Sequence, residues 1–177
     1  MNVLKLVDEK DPILKQKLEP FNFQENDSLE ISKILIENMK YYNGIGHAAN
    51  QLGFNFRVFS MIHDTHEMVL FNPELITFTE EKIRMKEGCL SFSGLYPYVL
   101  RPKGVSIKYF DENNNPMIAN LIGLSARIVL HEFDHLNGIT FHDRTSRYDL
   151  NNAMKKRKNI LRKEHKKIKE KYGSKNT

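Results

Sequence analysis

The sequence has no tryptophan and only one cysteine, Cys89. An intrachain disulfide is therefore impossible, which excludes a disulfide-stapled secreted scaffold. No apolar run approaches the roughly 18–20 residues that a membrane-spanning helix needs. The opening Met1–Lys10 segment carries no unbroken apolar stretch of the kind that marks a secretory signal. What is present is a globular composition. Of 177 residues 40% are apolar and 28% charged, enough to bury a core and too apolar for a disordered chain. The expectation is one soluble protein of a reducing, cytoplasmic compartment, with neither DNA nor a membrane as partner.

Charge is spread unevenly. Residues 147–177 hold 12 Lys and Arg against 3 acids, a net +9, whereas residues 1–146 hold 15 against 19, a net −4. A mildly acidic body followed by a basic segment separates catalysis from anchoring along the chain. The expected domains are accordingly a body over 1–146 and a basic helical tail over 147–177. In the tail Leu150, Met154, Leu161, Ile168 and Tyr172 form a narrow apolar stripe among lysines and arginines.

Asp27-Ser-Leu-Glu30 reads as a capping box ahead of Ile31, Ile34, Leu35, Met39 and Tyr42 at helical spacing, with Asn43-Gly44 as a left-handed stop. Arg57–Ile62 looks like a strand. Val105–Tyr109 alternates, turns at Asp111–Asn115 and returns near Met117–Ile122. A second helix runs from Leu124 to Asn137 with Gly138 behind it, and a third starts near Asp149. Helices mixed with antiparallel strands, without regular βα alternation, predict an α+β fold around the second helix.

That helix carries His131-Glu-Phe-Asp-His135. Positions i and i+4 share one helix face, so both imidazoles can grip one ion while Glu132 sits beside its water. The surrounding Leu124, Ile128, Val129, Leu130, Phe133 and Leu136 are apolar, and polar groups are costly to bury there without a purpose. Two histidines are an incomplete site. Where metzincin proteases place their third His this chain has Phe141, with His142 one place too far. Glu164 lies in the basic tail. Cys89, in Glu87-Gly-Cys-Leu-Ser91, remains; a lone cysteine is usually an inert buried residue, but the flanking glycine favours a ligand. Gly44-Ile-Gly-His-Ala-Ala-Asn-Gln51 is near the GxGxxA pattern, yet it follows a helix rather than a strand, which argues against a dinucleotide loop.

In order, these three segments resemble the peptide deformylase family, whose pattern is a GφGφAA-x-Q loop, an EGCφS segment and an HExDH helix. Asp11–Leu14 and Val99–Pro102 extend the resemblance over roughly residues 3–146. The chain departs from the pattern with His47 for an apolar residue, Asn50 and Ser93 for prolines, and Leu130 for a glutamine. The resemblance implies removal of the formyl group from the formyl-methionine of nascent polypeptides. It implies Cys89, His131 and His135 as ligands of a divalent metal, Fe2+ in the cell with Zn2+, Ni2+ or Co2+ as substitutes. It implies Glu132 as the acid–base group, with the Gln51 side chain and the Leu90 N–H holding the oxyanion. Ile45 and Gly46 would pair with an extended peptide, and Ile45, Leu124 and Ile128 would wall a methionine pocket. Glu87 and Arg101 read as a supporting pair, and Asp134 as structural. Two other readings stand beside this one. One is a metalloprotease using His142, and the other a ribosome- or RNA-binding module that acts through its basic tail without catalysis.

Overall fold

The computed structural model describes residues 3–172, with side chains for residues 3–163. In chain order the elements are α1 (Ser28–Tyr41), β1 (Gly46–Ala48), β2 (Val58–His63), β3 (His66–Phe78), β4 (Lys82–Lys86) and β5 (Tyr98–Pro102). After them come β6 (Gly104–Phe110), β7 (Pro116–Ile122), α2 (Gly123–Leu136), the single turn α3 (Phe141–Arg144) and α4 (Arg147–Tyr172). Five strands form one sheet in the order β1-β2-β3-β6-β7, and β4 with β5 forms a separate hairpin. Every pairing between these strands is antiparallel. The mixed helix and antiparallel-sheet architecture expected from the sequence is therefore present.

Period-two alternation explains how the large sheet is covered on both sides. Phe59, Met61 and Leu70 join Ala126, Val129 and Leu130 of α2 in one core cluster. The intervening Val58, Val69 and Phe71 join Ile31, Ile34 and Leu35 of α1 in another. Helix α1 starts at Asp27, whose side chain accepts from the amides of Leu29 and Glu30. Its left-handed stop is Asn43, with φ 55°, rather than Gly44. The turn before β7 closes on Asp111, which accepts from the Asn113 and Asn115 amides.

Strand β3 is interrupted. Its register on β6 shifts between Phe71 and Glu74, where Asn72 adopts φ 48° and Pro73 follows. Proline donates no ladder hydrogen bond, and the bulge accommodates it. The Asn72 side chain closes onto the Phe21 backbone, accepting from its N–H at 2.7 Å and donating to its carbonyl at 2.9 Å.

A third cluster joins Leu14, Phe92, Leu95, Val99 and Phe141 with Ala153 of α4, and Leu150 packs against it. The opening turns of α4 thus pack on the body through Leu150 and Ala153. Of the tail stripe, Met154 and Leu161 are exposed. Ile168 and Tyr172 lie outside the residues whose side chains are described.

Candidate active site

The i and i+4 histidines of α2 meet the loop between β4 and β5. Cys89 Sγ lies 3.2 Å from His135 Nε2, and the donor atoms of Cys89, His131 and His135 all fall within 4.8 Å of one another. His131 Nδ1 is 3.0 Å from Glu87 Oε2, which leaves Nε2 to face the cluster. A carboxylate on the far nitrogen is the usual device that fixes the tautomer of a ligating imidazole.

Glu87 belongs to a buried polar network. Arg101 grips it through Nε at 2.6 Å and Nη2 at 3.0 Å, and Arg127 Nη1 donates at 2.7 Å. Arg101 also donates to Asp134 Oδ2 at 2.6 Å, and Arg144 donates to both oxygens of that carboxylate. Burial alone would raise the Glu87 pKa, but the hydrogen bonds from His131 and Arg101 outweigh it and hold the group well below the usual carboxylate range. The expected Glu87–Arg101 pair is therefore present, together with the structural contact of Asp134. Arg127 and Arg144 were not anticipated. Arg127 lies four residues before His131 on the same helix face, and that spacing was the available signal.

Glu132 is buried, and its Oε2 has no hydrogen-bond partner. Desolvation pushes its pKa up to about 7, with His131 pulling it down and Glu87 adding to the rise. Strand β1 passes directly over it. A Cβ on Gly46 would lie 2.5 Å from Glu132 Oε1 and 2.7 Å from Ile128 Cγ2, so only glycine permits this approach.

Gln51 lies in a 3-10 turn (Ala49–Leu52). Its Oε1 accepts from the Ala48 N–H at 2.9 Å, which aims Nε2 at Ser91 Oγ, 3.1 Å away, and at Cys89 Sγ, 3.5 Å away. Leu90 is the first residue of another 3-10 turn (Leu90–Phe92), so its N–H has no acceptor within the turn. Asn50 donates to the His135 carbonyl at 3.0 Å, fixing this turn against the end of α2.

Gln51, Leu90, Glu132, Cys89 and His131 line one cleft of about 250 Å³. Ile45, Gly46, Leu124 and Ile128 also line it; Ile45 and Leu124 are about half exposed and Ile128 is buried. Lys86, Tyr96 and Arg127 are lining residues that sequence reasoning did not single out. His142 lies elsewhere, against the rings of Phe92 and Phe141 with Nδ1 3.3 Å from Thr140 Oγ1. Among the described residues it is not part of the donor group, which removes the ligand that a protease reading would require.

The family model of polypeptide deformylase matches residues 3–151. A peptide deformylase of Pseudothermotoga lettingae is 38% identical over 133 residues, covering 75% of this chain and 77% of the relative. One from Treponema pallidum is 34% identical over 146 residues, covering 82% and 90%. Among solved structures, a Synechococcus elongatus peptide deformylase in complex with actinonin superposes with a TM-score of 0.81 at 33% identity, covering 86% of each chain. The Thermotoga maritima enzyme gives 0.79 at 33% identity, covering 82% of this chain and 99% of that one. With the motifs in order and their side chains converging on one cleft, the chain belongs to the peptide deformylase family.

Proposed function

We propose that this chain is a metal-dependent hydrolase that removes the formyl group from the formyl-methionine of newly made polypeptides and releases formate. The observation that carries the reading is the meeting of Cys89, His131 and His135 beside the desolvated carboxyl of Glu132.

The donor set fits a metal. One thiolate and two imidazoles, with Glu87 orienting His131 and an open cleft on the remaining side, match a catalytic site of three protein ligands. Cys89, His131 and His135 would hold the ion, which we take as Fe2+, with Zn2+, Ni2+ or Co2+ able to replace it. When bound, a divalent ion supplies Lewis acidity and makes hydroxide available near neutral pH.

The protein's own groups do the rest. Glu132 takes a proton at its unpartnered oxygen and returns it to the departing amine; its raised pKa suits both directions near neutrality. The Gln51 amide, held through Oε1, and the Leu90 N–H donate to the oxygen on which charge develops. Strand β1 is an edge of the sheet, which supports the reading that the Ile45–Gly46 segment pairs with an extended substrate backbone. Ile45, Leu124 and Ile128 supply the apolar wall for methionine.

We place the enzyme in the cytoplasm, acting during translation, with residues 1–146 as the catalytic unit. Residues 147–177 serve as an arm for ribosomal RNA. Exposed Lys155, Lys158, Arg162 and Lys163 support that reading, because a dense positive stripe binds phosphate in a salt-dependent way. Among the described residues no helix is long and apolar enough to cross a membrane.

The test is anaerobic purification, metal analysis and measurement of formate release from a formyl-Met peptide. Glu132→Gln should keep the metal and lose roughly 10²-fold or more in turnover. Cys89→Ala should lose metal about as severely as His131→Ala. Stoichiometric metal in Cys89→Ala, or unimpaired turnover in Glu132→Gln, would remove these assignments.

A further inference from the structure

A second cavity of about 560 Å³ lies beside the cleft, between the β4–β5 hairpin and α4. Lys86 and Tyr96 line both cavities, so the two adjoin at these side chains. The junction is built by Gly88. A Cβ there would lie 2.7 Å from the Tyr96 ring, so the ring folds over the backbone next to Cys89. On the hairpin Lys86 stands opposite Tyr98, and Arg84 follows on the same face by the two-residue period. Arg84 and Lys86 both lie over the Tyr98 ring, at 4.0 and 5.5 Å from its centre. Helix α4 closes the far side with Tyr148 and Lys156.

Two features mark this groove as a contact surface rather than a packing defect. Tyr96 and Tyr148 are 58% and 75% exposed, unusual for large rings lining a concavity. Three cations line it (Arg84, Lys86 and Lys156) against one carboxylate, Asp149, and that carboxylate already pairs with Arg84. The groove therefore presents surplus positive charge with aromatic faces, next to the cleft.

We propose that this groove receives the segment of the substrate polypeptide that follows its first residues, and selects acidic side chains there. The inference rests on the deformylase reading and adds a specificity determinant to it. Adjacency to the cleft at Lys86 and Tyr96 favours a polypeptide, since a substrate chain long enough to pass Tyr96 would meet the groove's surplus positive charge. Lys156 supplies the charge on the α4 side, and Tyr148 supplies apolar contact.

The test compares three substrates with the metal-loaded full chain: formyl-Met-Ala-Ser, and the same tripeptide extended by Asp-Glu-Phe or by Lys-Arg-Phe. At low salt the acidic hexapeptide should exceed the basic one in kcat/KM by about fivefold, carried by KM, and the difference should shrink as salt rises. Lys156→Glu should abolish or reverse the preference, and Tyr148→Ala should lower kcat/KM for both hexapeptides. Both variants should hydrolyse the tripeptide like the parent, which also shows that they fold. Equal rates for the two hexapeptides, or an unchanged preference in Lys156→Glu, would overturn the proposal while leaving the deformylase reading intact. Failure to hydrolyse any formyl peptide would overturn both. A single-stranded RNA that binds the parent more tightly than Lys156→Glu, without any acidic-peptide preference, would assign the groove to nucleic acid and also overturn it.

Discussion

Gly46→Ala perturbs the site through one methyl group. The φ of Gly46 lies outside the left-handed region, so alanine meets no backbone objection. The difficulty is space: the new Cβ would sit 2.5 Å from Glu132 Oε1, about 0.9 Å short of the 3.4 Å at which ordinary contact begins. Ile128 Cγ2, at 2.7 Å, blocks escape along the helix. Either β1 or the Glu132 carboxylate must move by nearly an ångström. Overpacking of this kind costs about 1–3 kcal/mol. Restricting the unfolded chain returns about 0.4–1 kcal/mol. The net loss of about 0.5–2 kcal/mol should lower the urea midpoint by roughly 0.5 M. Turnover should suffer more, because a 1 Å displacement of a catalytic group costs about 10²-fold. Formate release at matched metal content, alongside urea denaturation, measures both effects. Gly44→Ala is the comparison. Its Cβ would meet Leu90 Cδ1 at 2.8 Å, the movable end of a half-buried side chain, so the loss should stay below about tenfold. Parent-like turnover and an unchanged midpoint in Gly46→Ala would refute the account of why β1 carries glycine there.

Arg101→Met leaves Glu87 and Asp134 buried with one cation fewer between them. Arg127 and Arg144 still reach those carboxylates, so the loss should be on the order of 3 kcal/mol, read from urea denaturation; a loss below about 1 kcal/mol would refute the network's importance. His47 is fully buried, and neither ring nitrogen makes a hydrogen bond of normal geometry. Burial lowers its pKa to about 4, against a smaller upward pull from the Leu35 carbonyl. Between pH 6.5 and 4 the unfolded chain therefore takes up a proton that the folded chain refuses. This contribution to stability is complete above that window and falls by up to about 3 kcal/mol across it. His47→Leu should flatten that acid limb, and an unaltered pH dependence would refute the assignment. Truncation after Thr145 removes Ala153 and Leu150 from their cluster and should cost about 2 kcal/mol, whereas truncation after Lys163 should not; equal urea midpoints would show that α4 contributes nothing to the body.

Much of the site was legible in the sequence because its parts are local. His131 and His135 share a helix face by spacing alone, and the β6–β7 hairpin announces itself by alternation around Asp111–Asn115. Strand β3 was not legible, because Asn72 and Pro73 break its alternation and the bulge is stabilised by Phe21, far away in the chain. The β4–β5 hairpin was hidden for a related reason: β4 is mostly charged, with only two half-buried residues, so it carries little apolar signal. Tertiary structure alone decided that Cys89 reaches His135, that Arg127 serves Glu87, and that β1 presses on Glu132 closely enough to demand glycine. It also decided that the basic segment docks through Ala153 and Leu150 while Met154 and Leu161 of its apolar stripe face outward. Periodicity records which face an element buries. Which distant element meets that face depends on the joint packing of the whole chain, and no single stretch of sequence encodes it.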